Sequence, residues 1–331
     1  MLIRNRKSWD IPEREATPEH IFLNRRAFMA GASALGAGTL ASGDALAAWP
    51  FGGDATPAAP QPPDPSLSLY PAKRNAAYAV TGAVTPENVN TNYNNFYEYG
   101  TSKHVSEAAK MLRIRPWTVK ITGLVEKPRE VGIDDLLKAM PLEERLYRHR
   151  CVEAWSMQVP WTGFPVKTLV DFAKPLGSAK YMVLKTFKDA KMAPGQRSFI
   201  LKWPYVEGLT MAEATNDLAF MVTGAYGKPL PRVMGAPLRL AVPWKYGFKS
   251  VKSIVEIAFT DQQPETTWAA LAPDEYGFWA NVNPEVPHPR WSQASEEVIG
   301  TDDRRPTVIY NGYGDQVASL YSGMTKDKIF M

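Results

Sequence analysis

Cysteine occurs once in this chain of 331 residues, at position 151. No internal disulfide is therefore available, and the fold must be held by a buried core. The chain can supply one: 45% of its residues are hydrophobic and 22% charged. At this length one or two domains can bury about 70–75% of the unfolded surface. A net charge of +4, from 38 Lys+Arg against 34 Asp+Glu, is too small and too dispersed for a nucleic-acid partner. The histidines His20, His104, His149 and His288 are never three to five residues apart, so a zinc site of the usual spacing is not expected.

The amino terminus reads as an export signal. Two adjacent arginines, Arg25 and Arg26, precede a soft apolar stretch from Ala27 to Ser42, which runs into the small-x-small pattern Ala45-Leu46-Ala47. That combination predicts a twin-arginine signal peptide over residues 1–47, read by the twin-arginine export machinery, and a periplasmic destination. The stretch is shorter than the ~20 residues that span a bilayer. This route carries folded proteins, and a common reason to use it is a cofactor inserted before export. Residues 48–80, rich in Pro and Gly, are expected to form an extended tether, and 81–331 a single catalytic domain.

Within that domain Trp117, Val119 and Ile121 alternate with polar residues, as a half-buried strand does. Arg145 to Cys151 alternates too, with Tyr147, His149 and Cys151 on one face and Leu146, Arg148 and Arg150 on the other. Strands are further expected at 181–184, 218–222, 238–242, 251–259 and 307–310, with helices at 106–112, 133–140 and 165–172. Short strands mixed irregularly with short helices predict an α+β fold of mixed sheets and long loops, and no G-x-G-x-x-G supports a dinucleotide site.

Cys151 ends one of those strands. A free cysteine is most often an inert core residue. An exported protein meets thiol oxidants, however, so a lone thiol is a liability unless sealed or ligated. Arg148, His149 and Arg150 immediately precede it, which favours the thiolate, a natural ligand for a soft metal. A nucleophilic cysteine would need a basic histidine, for which His149 on the same face is the candidate.

Four segments carry a resemblance: Tyr93-Asn94-Asn95-Phe96-Tyr97-Glu98, Arg150 to Met157, Val242 to Lys249, and Ala272 to Phe278. Together they resemble the catalytic subunits of periplasmic protein-methionine-sulfoxide reductases, molybdopterin enzymes of the sulfite-oxidase fold. The resemblance implies one molybdenum-molybdopterin per chain, with Cys151 as the protein's ligand to the metal. It implies that Asn94, Tyr97 and Glu98 hold the pterin, and that Thr186, Arg239, Ser250 and Lys252 reach its polar edge and phosphate. Where relatives carry Asn before Gly-Ala-Pro, this chain has Met234, so a side-chain hydrogen bond there is lost.

The implied reaction is oxygen-atom transfer from methionine sulfoxide in oxidised periplasmic proteins, a form of protein repair. No Cys-x-x-Cys-His is present to hold a heme, so the implied electron source is a membrane-embedded heme-containing subunit fed by quinone. Sulfite-oxidising relatives typically place paired arginines after the cysteine; here Glu153 and Trp155 stand there. A carboxylate at that place repels a sulfite dianion more than a neutral sulfoxide. Glu153 is also a candidate catalytic proton relay. Oxidation or reduction of sulfite or a small S- or N-oxide on the same cofactor is the alternative.

Overall fold

The computed structural model describes residues 64–324 and 328–331. The expected signal peptide lies outside the described residues, as does the amino-terminal part of the expected tether. Contacts group residues Pro62–Met331 into one compact unit.

Its strands run, in chain order, β1 (Thr118–Gly123), β2 (Arg129–Gly132), β3 (Glu143–Cys151), β4 (Trp155–Pro165), β5 (Tyr181–Thr186) and β6 (Val206–Thr210). They continue with β7 (Phe220–Ala225), β8 (Lys228–Pro229), β9 (Arg239–Ala241), β10 (Ile254–Thr260), β11 (Ser295–Val298) and β12 (Arg304–Pro306). Two sheets result. One has the order β2-β1-β10-β5-β6, with β1 and β10 parallel and the other pairs antiparallel. The other runs β12-β11-β4-β7-β8, with β3 added on β4 and β9 on β7. Mixed sheets joined by short helices are the expected α+β architecture.

Local sequence explains each element. In β1, Val119 and Ile121 are fully buried while Thr118 and Lys120 are exposed. β4 is buried along almost its whole length because β3, β7 and β11 all pair with it. Gly163 lets it approach β7, since a Cβ there would sit 1.9 Å from the Met221 carbonyl. The helix Val166–Ala173 buries Val166, Leu169, Val170 and Ala173 at helical spacing and stops at Lys174, whose φ is +52°.

Three expectations are corrected. The strand expected over 307–310 is a turn of 3₁₀ helix, Ile309–Gly312, in which Tyr310 and Asn311 are left-handed; the Asn311 amide donates to the Pro243 carbonyl at 2.8 Å and fixes that bend. The strand expected from 251 begins only at Ile254, because Ser253 has φ +49° and gives its N–H and hydroxyl to the carbonyls of Gly235 and Ala236. The described part of the expected tether is packed, not extended. Tyr70 donates its hydroxyl to Thr223, Arg74 pairs with Glu144 at 2.7 Å, and Asn75 gives its N–H to the Glu144 carbonyl and its side-chain amide to Glu143 at 2.8 Å. Polar side chains, invisible to a Pro/Gly reading, dock this segment.

A buried ionic cluster ties the carboxyl-terminal region to the sheets. Glu213, in a helical turn capped by Thr210, pairs with Lys245 and accepts the Tyr321 hydroxyl at 2.7 Å. Lys245 also donates to the Trp279 carbonyl and the Asn281 side chain. Burial pulls Lys245 down to about 8, against the pull of Glu213 in the opposite direction. Glu213→Gln keeps the volume and leaves this ammonium without its carboxylate. It should lower the unfolding free energy in urea by about 3–5 kcal/mol, and a loss below about 1 kcal/mol would contradict this account.

Candidate functional site

β3 and β4 form a hairpin in which Cys151 pairs with Trp155. The connecting residues Val152, Glu153 and Ala154 close it, with Ala154 at φ +62° and its N–H bonded to the Cys151 carbonyl. A left-handed third residue is what a three-residue hairpin loop requires. That turn presents Cys151, Glu153 and Trp155 to one cleft, which encloses roughly 920 Å³ counted out to the solvent at its mouth.

The cleft also receives the loop at 93–98, Arg239 from β9, the turn at 247–252, and the rings of Tyr205, Trp268 and Tyr276. Of the residues singled out from sequence, Cys151, Glu153, Asn94, Tyr97, Glu98, Arg239, Ser250 and Lys252 all line it. Thr186 does not; it is buried, its hydroxyl donates to the Ser253 carbonyl at 3.3 Å, and it hydrogen-bonds Glu98 from behind. Met234 is fully buried, and its backbone carbonyl accepts from Arg239 at 2.9 Å. The position that lost a polar side chain still orients a cleft cation through its main chain.

Electrostatics in the cleft run against one expectation. Burial, and then the Glu153 charge, push the Cys151 thiol up to about 12, so the thiolate is not favoured by the protein alone. The cations preceding it do not supply what was expected. Arg150 turns away into a buried pair with Glu296 at 2.8 Å. Burial, Arg239 and Lys252 hold His149 neutral, down at about 3, with its ring edge against Gly247. A histidine so reluctant to take a proton is a poor base for a cysteine nucleophile.

Glu153 is tightly held. One carboxylate oxygen accepts from Lys103, from Trp155 Nε1 at 2.9 Å and from Asn95 Nδ2 at 3.1 Å, while Asn95 also reaches Cys151 Sγ at 3.6 Å. Burial opposes its charge, but these donors bring it below the usual carboxylate range. The expected repulsion of a dianion is correspondingly reduced, because Lys103 neutralises the carboxylate. Sequence reading missed Lys103 and Asn95 as parts of this group. Asn95 stood inside a quoted motif, but nothing local marks Lys103, fifty residues from its partner in sequence.

The cations deeper in the cleft lack such neutralisation. Arg239 is buried, stacks over the Trp161 ring at 5.0 Å and donates only to backbone carbonyls, among them those of Met234 and Ser250. Burial alone pulls it down to about 9, and no carboxylate among the described residues pairs with it. Lys252 donates to the Asn95 carbonyl at 2.8 Å. It faces Glu98, and burial moves both toward neutrality, Lys252 well below its ordinary value and Glu98 up to about 7. A guanidinium desolvated without a counter-charge is costly unless an anion joins it. Arg239, Lys252 and Ser250 thus fit the phosphate end of an organic cofactor. Among the described residues no three His, Cys, Asp or Glu side chains are grouped to hold a metal. A metal held by Cys151 would bring its remaining ligands with it, as a dithiolene-bearing pterin does.

Comparison with known proteins identifies the family. The oxidoreductase molybdopterin-binding domain family matches residues 106–268. The protein-methionine-sulfoxide reductase catalytic subunit MsrP of Ralstonia nicotianae is 49% identical over 331 residues, covering 97% of this chain and 96% of that protein. Its counterpart in Burkholderia mallei is 48% identical over 328 residues, with 97% and 96% covered. Among solved structures, the sulfane dehydrogenase SoxCD from Paracoccus pantotrophus shares 19% identity with a TM-score of 0.41, covering 67% of this chain and 56% of that one, a likeness too slight to argue from.

The state of the thiol is open to measurement. In protein free of any bound cofactor, iodoacetamide should modify Cys151 at pH 8 roughly a hundred to a thousand times more slowly than an exposed cysteine. Because the thiolate fraction grows with pH toward a raised pKa, the rate should still be climbing at pH 10. A plateau near pH 8 would contradict the burial account.

Proposed function

The chain belongs to the family of protein-methionine-sulfoxide reductase catalytic subunits, oxidoreductases with a molybdopterin-binding domain, and from that membership we propose that it reduces methionine sulfoxide in oxidised periplasmic proteins. The observation that carries this reading is the pairing, in one cleft, of the chain's single thiol with a buried guanidinium that meets no carboxylate among the described residues.

In this proposal Cys151 ligates molybdenum. Asn94, Tyr97 and Glu98 hold the pterin, with Thr186 behind Glu98. Arg239, Ser250 and Lys252 take the phosphate. When bound, the molybdenum centre supplies two-electron oxygen-atom chemistry, which removes the oxygen of a sulfoxide. The chain's own residues bind and orient. Trp155 and Trp161 line the cleft and offer ring surface to a thioether sulfur, while Trp244 and Tyr246 are buried outside the lining. Glu153, fixed by Lys103, Trp155 and Asn95, holds the turn that carries Cys151. An already ionised carboxylate of lowered pKa accepts a proton from a stronger acid near the sulfur but does not store one at neutral pH.

Relatives named as catalytic subunits support a partner subunit, and we take that partner to be a membrane-embedded heme protein drawing on quinone. Delivery to the periplasm through the twin-arginine machinery rests on Arg25 and Arg26.

Two outcomes test the proposal. Purified native protein should contain one molybdenum per chain. In Cys151→Ser, methionine sulfoxide reduction should fall by at least about 100-fold, beyond what an outer-sphere contact costs, with the thermal melt little changed. Retained turnover would remove Cys151 from the metal. Separately, Arg25→Lys with Arg26→Lys should leave the precursor in the cytoplasm; normal periplasmic yield by fractionation would refute the export reading.

A further inference from the structure

Between β5 and β6 the chain makes a loop, 188–202, that breaks the usual rule for apolar side chains. Phe199 is 99% exposed and Ile200 51%. Isolated exposed apolar residues need no explanation, but this pair is held out by a braced backbone. Ser198 N–H bonds the Gly195 carbonyl, and Ser198 in turn accepts Trp203 Nε1 at its carbonyl and the Ile200 N–H at its hydroxyl. Leu201 is buried behind the tip, and Gln196 bridges Asp189 N–H and the Phe187 carbonyl.

Around the tip the loop is basic. Lys188, Lys191, Arg197 and Lys202 are all exposed, and the first three make no ion pair with a described residue. Lys202 reaches Glu265 only at 3.7 Å, with both side chains largely in solvent. Asp189 is the loop's one acid. It caps the N–H groups of Lys191 and Met192 and faces Arg113 at 3.6 Å. The neighbouring segment, joined through Arg113 N–H to Met192 sulfur, adds the half-exposed Met111.

We propose that this loop seats the protein on an anionic phospholipid surface, with Phe199 and Ile200 in the headgroup region and the basic residues among the lipid phosphates. The pattern decides against a protein partner: protein–protein contact centres are depleted in Lys, whereas apolar tips set among Lys and Arg characterise interfacial binding. The loop is also rigidly joined to the cleft. At Gly195 a Cβ would lie 2.3 Å from the Tyr97 carbonyl, so the backbone of the loop rests on the wall that carries Tyr97 and Glu98. Docking would therefore fix the cleft relative to the bilayer. The proposal concerns lipid binding alone and stands whether or not the reaction is as proposed above.

The test uses the full, cofactor-loaded chain and co-sedimentation with vesicles. One set is pure phosphatidylcholine, the other equal parts phosphatidylcholine and phosphatidylglycerol. The chain should bind the mixed vesicles and lose affinity as salt rises. Phe199→Ser with Ile200→Ser should weaken that binding at least about tenfold, and Lys188→Glu with Lys191→Glu by roughly fivefold per charge removed. All three proteins share the same first 61 residues, so differences between them report on the loop. Thermal melts and turnover of a soluble sulfoxide with a chemical reductant should be unchanged in the variants. Undiminished vesicle binding by Phe199→Ser/Ile200→Ser, or no binding by the unaltered chain, would overturn the proposal. So would equal binding to the neutral and the mixed vesicles.

Discussion

The pairing of β3 with β4 is the interaction from which the site follows. Nine consecutive residue pairs, Glu143 with Gly163 through Cys151 with Trp155, leave no slack in where the sulfur ends up. β4 is itself locked by β7 on one side and by β11 beyond the turn. A slip of one residue would exchange the faces, sending His149 and Cys151 to where Arg148 and Arg150 now lie. Arg150 resists that, because its guanidinium is fully buried against Glu296, Gln293 and Thr307. Register is thus fixed on both faces at once, by packing in the cleft and by an ion pair behind it.

The cleft is built with an excess of buried positive charge. Among the described residues Glu98 is the one carboxylate facing Lys252, none pairs with Arg239, and Glu153 is paired with Lys103. This imbalance is unfavourable in the protein by itself. Under the proposed function an anionic group of complementary shape would offset it, and the same side chains would select that group. Elsewhere in the core a buried cation does meet a carboxylate, as Lys249 meets Glu207 at 2.6 Å.

How far the sequence disclosed this depends on the range of the interaction. Alternation at Val119 and Ile121, and at Tyr147, His149 and Cys151, is a local property, so strands and faces could be read. The α+β class followed from the irregular succession of short elements. The resemblance carried by the four quoted motifs named nine site residues, only five of them inside the motifs; eight line the cleft, and Thr186 lies just behind. What escaped was non-local. The Lys103–Glu153 pair, the turning away of Arg150 and the neutral His149 depend on burial and partners far along the chain. Left-handed Ser253 and Tyr310 carry no sequence flag, and Asn311, whose residue type favours that region, was passed over, which is why two strands were misplaced. Composition alone suggested a tether through residue 80, whereas Tyr70, Arg74 and Asn75 each had a specific partner waiting.

The sealed, protonated thiol has a consequence for the life of the polypeptide before it matures. Peroxide and other oxidants attack the anion, at a rate that also falls with inaccessibility. With its one cysteine buried and its thiol pKa raised, the folded chain forms sulfenic acid slowly and is slow to cross-link to a neighbour. It can therefore wait for assembly undamaged, a useful trait in a molecule whose family repairs oxidised sulfur.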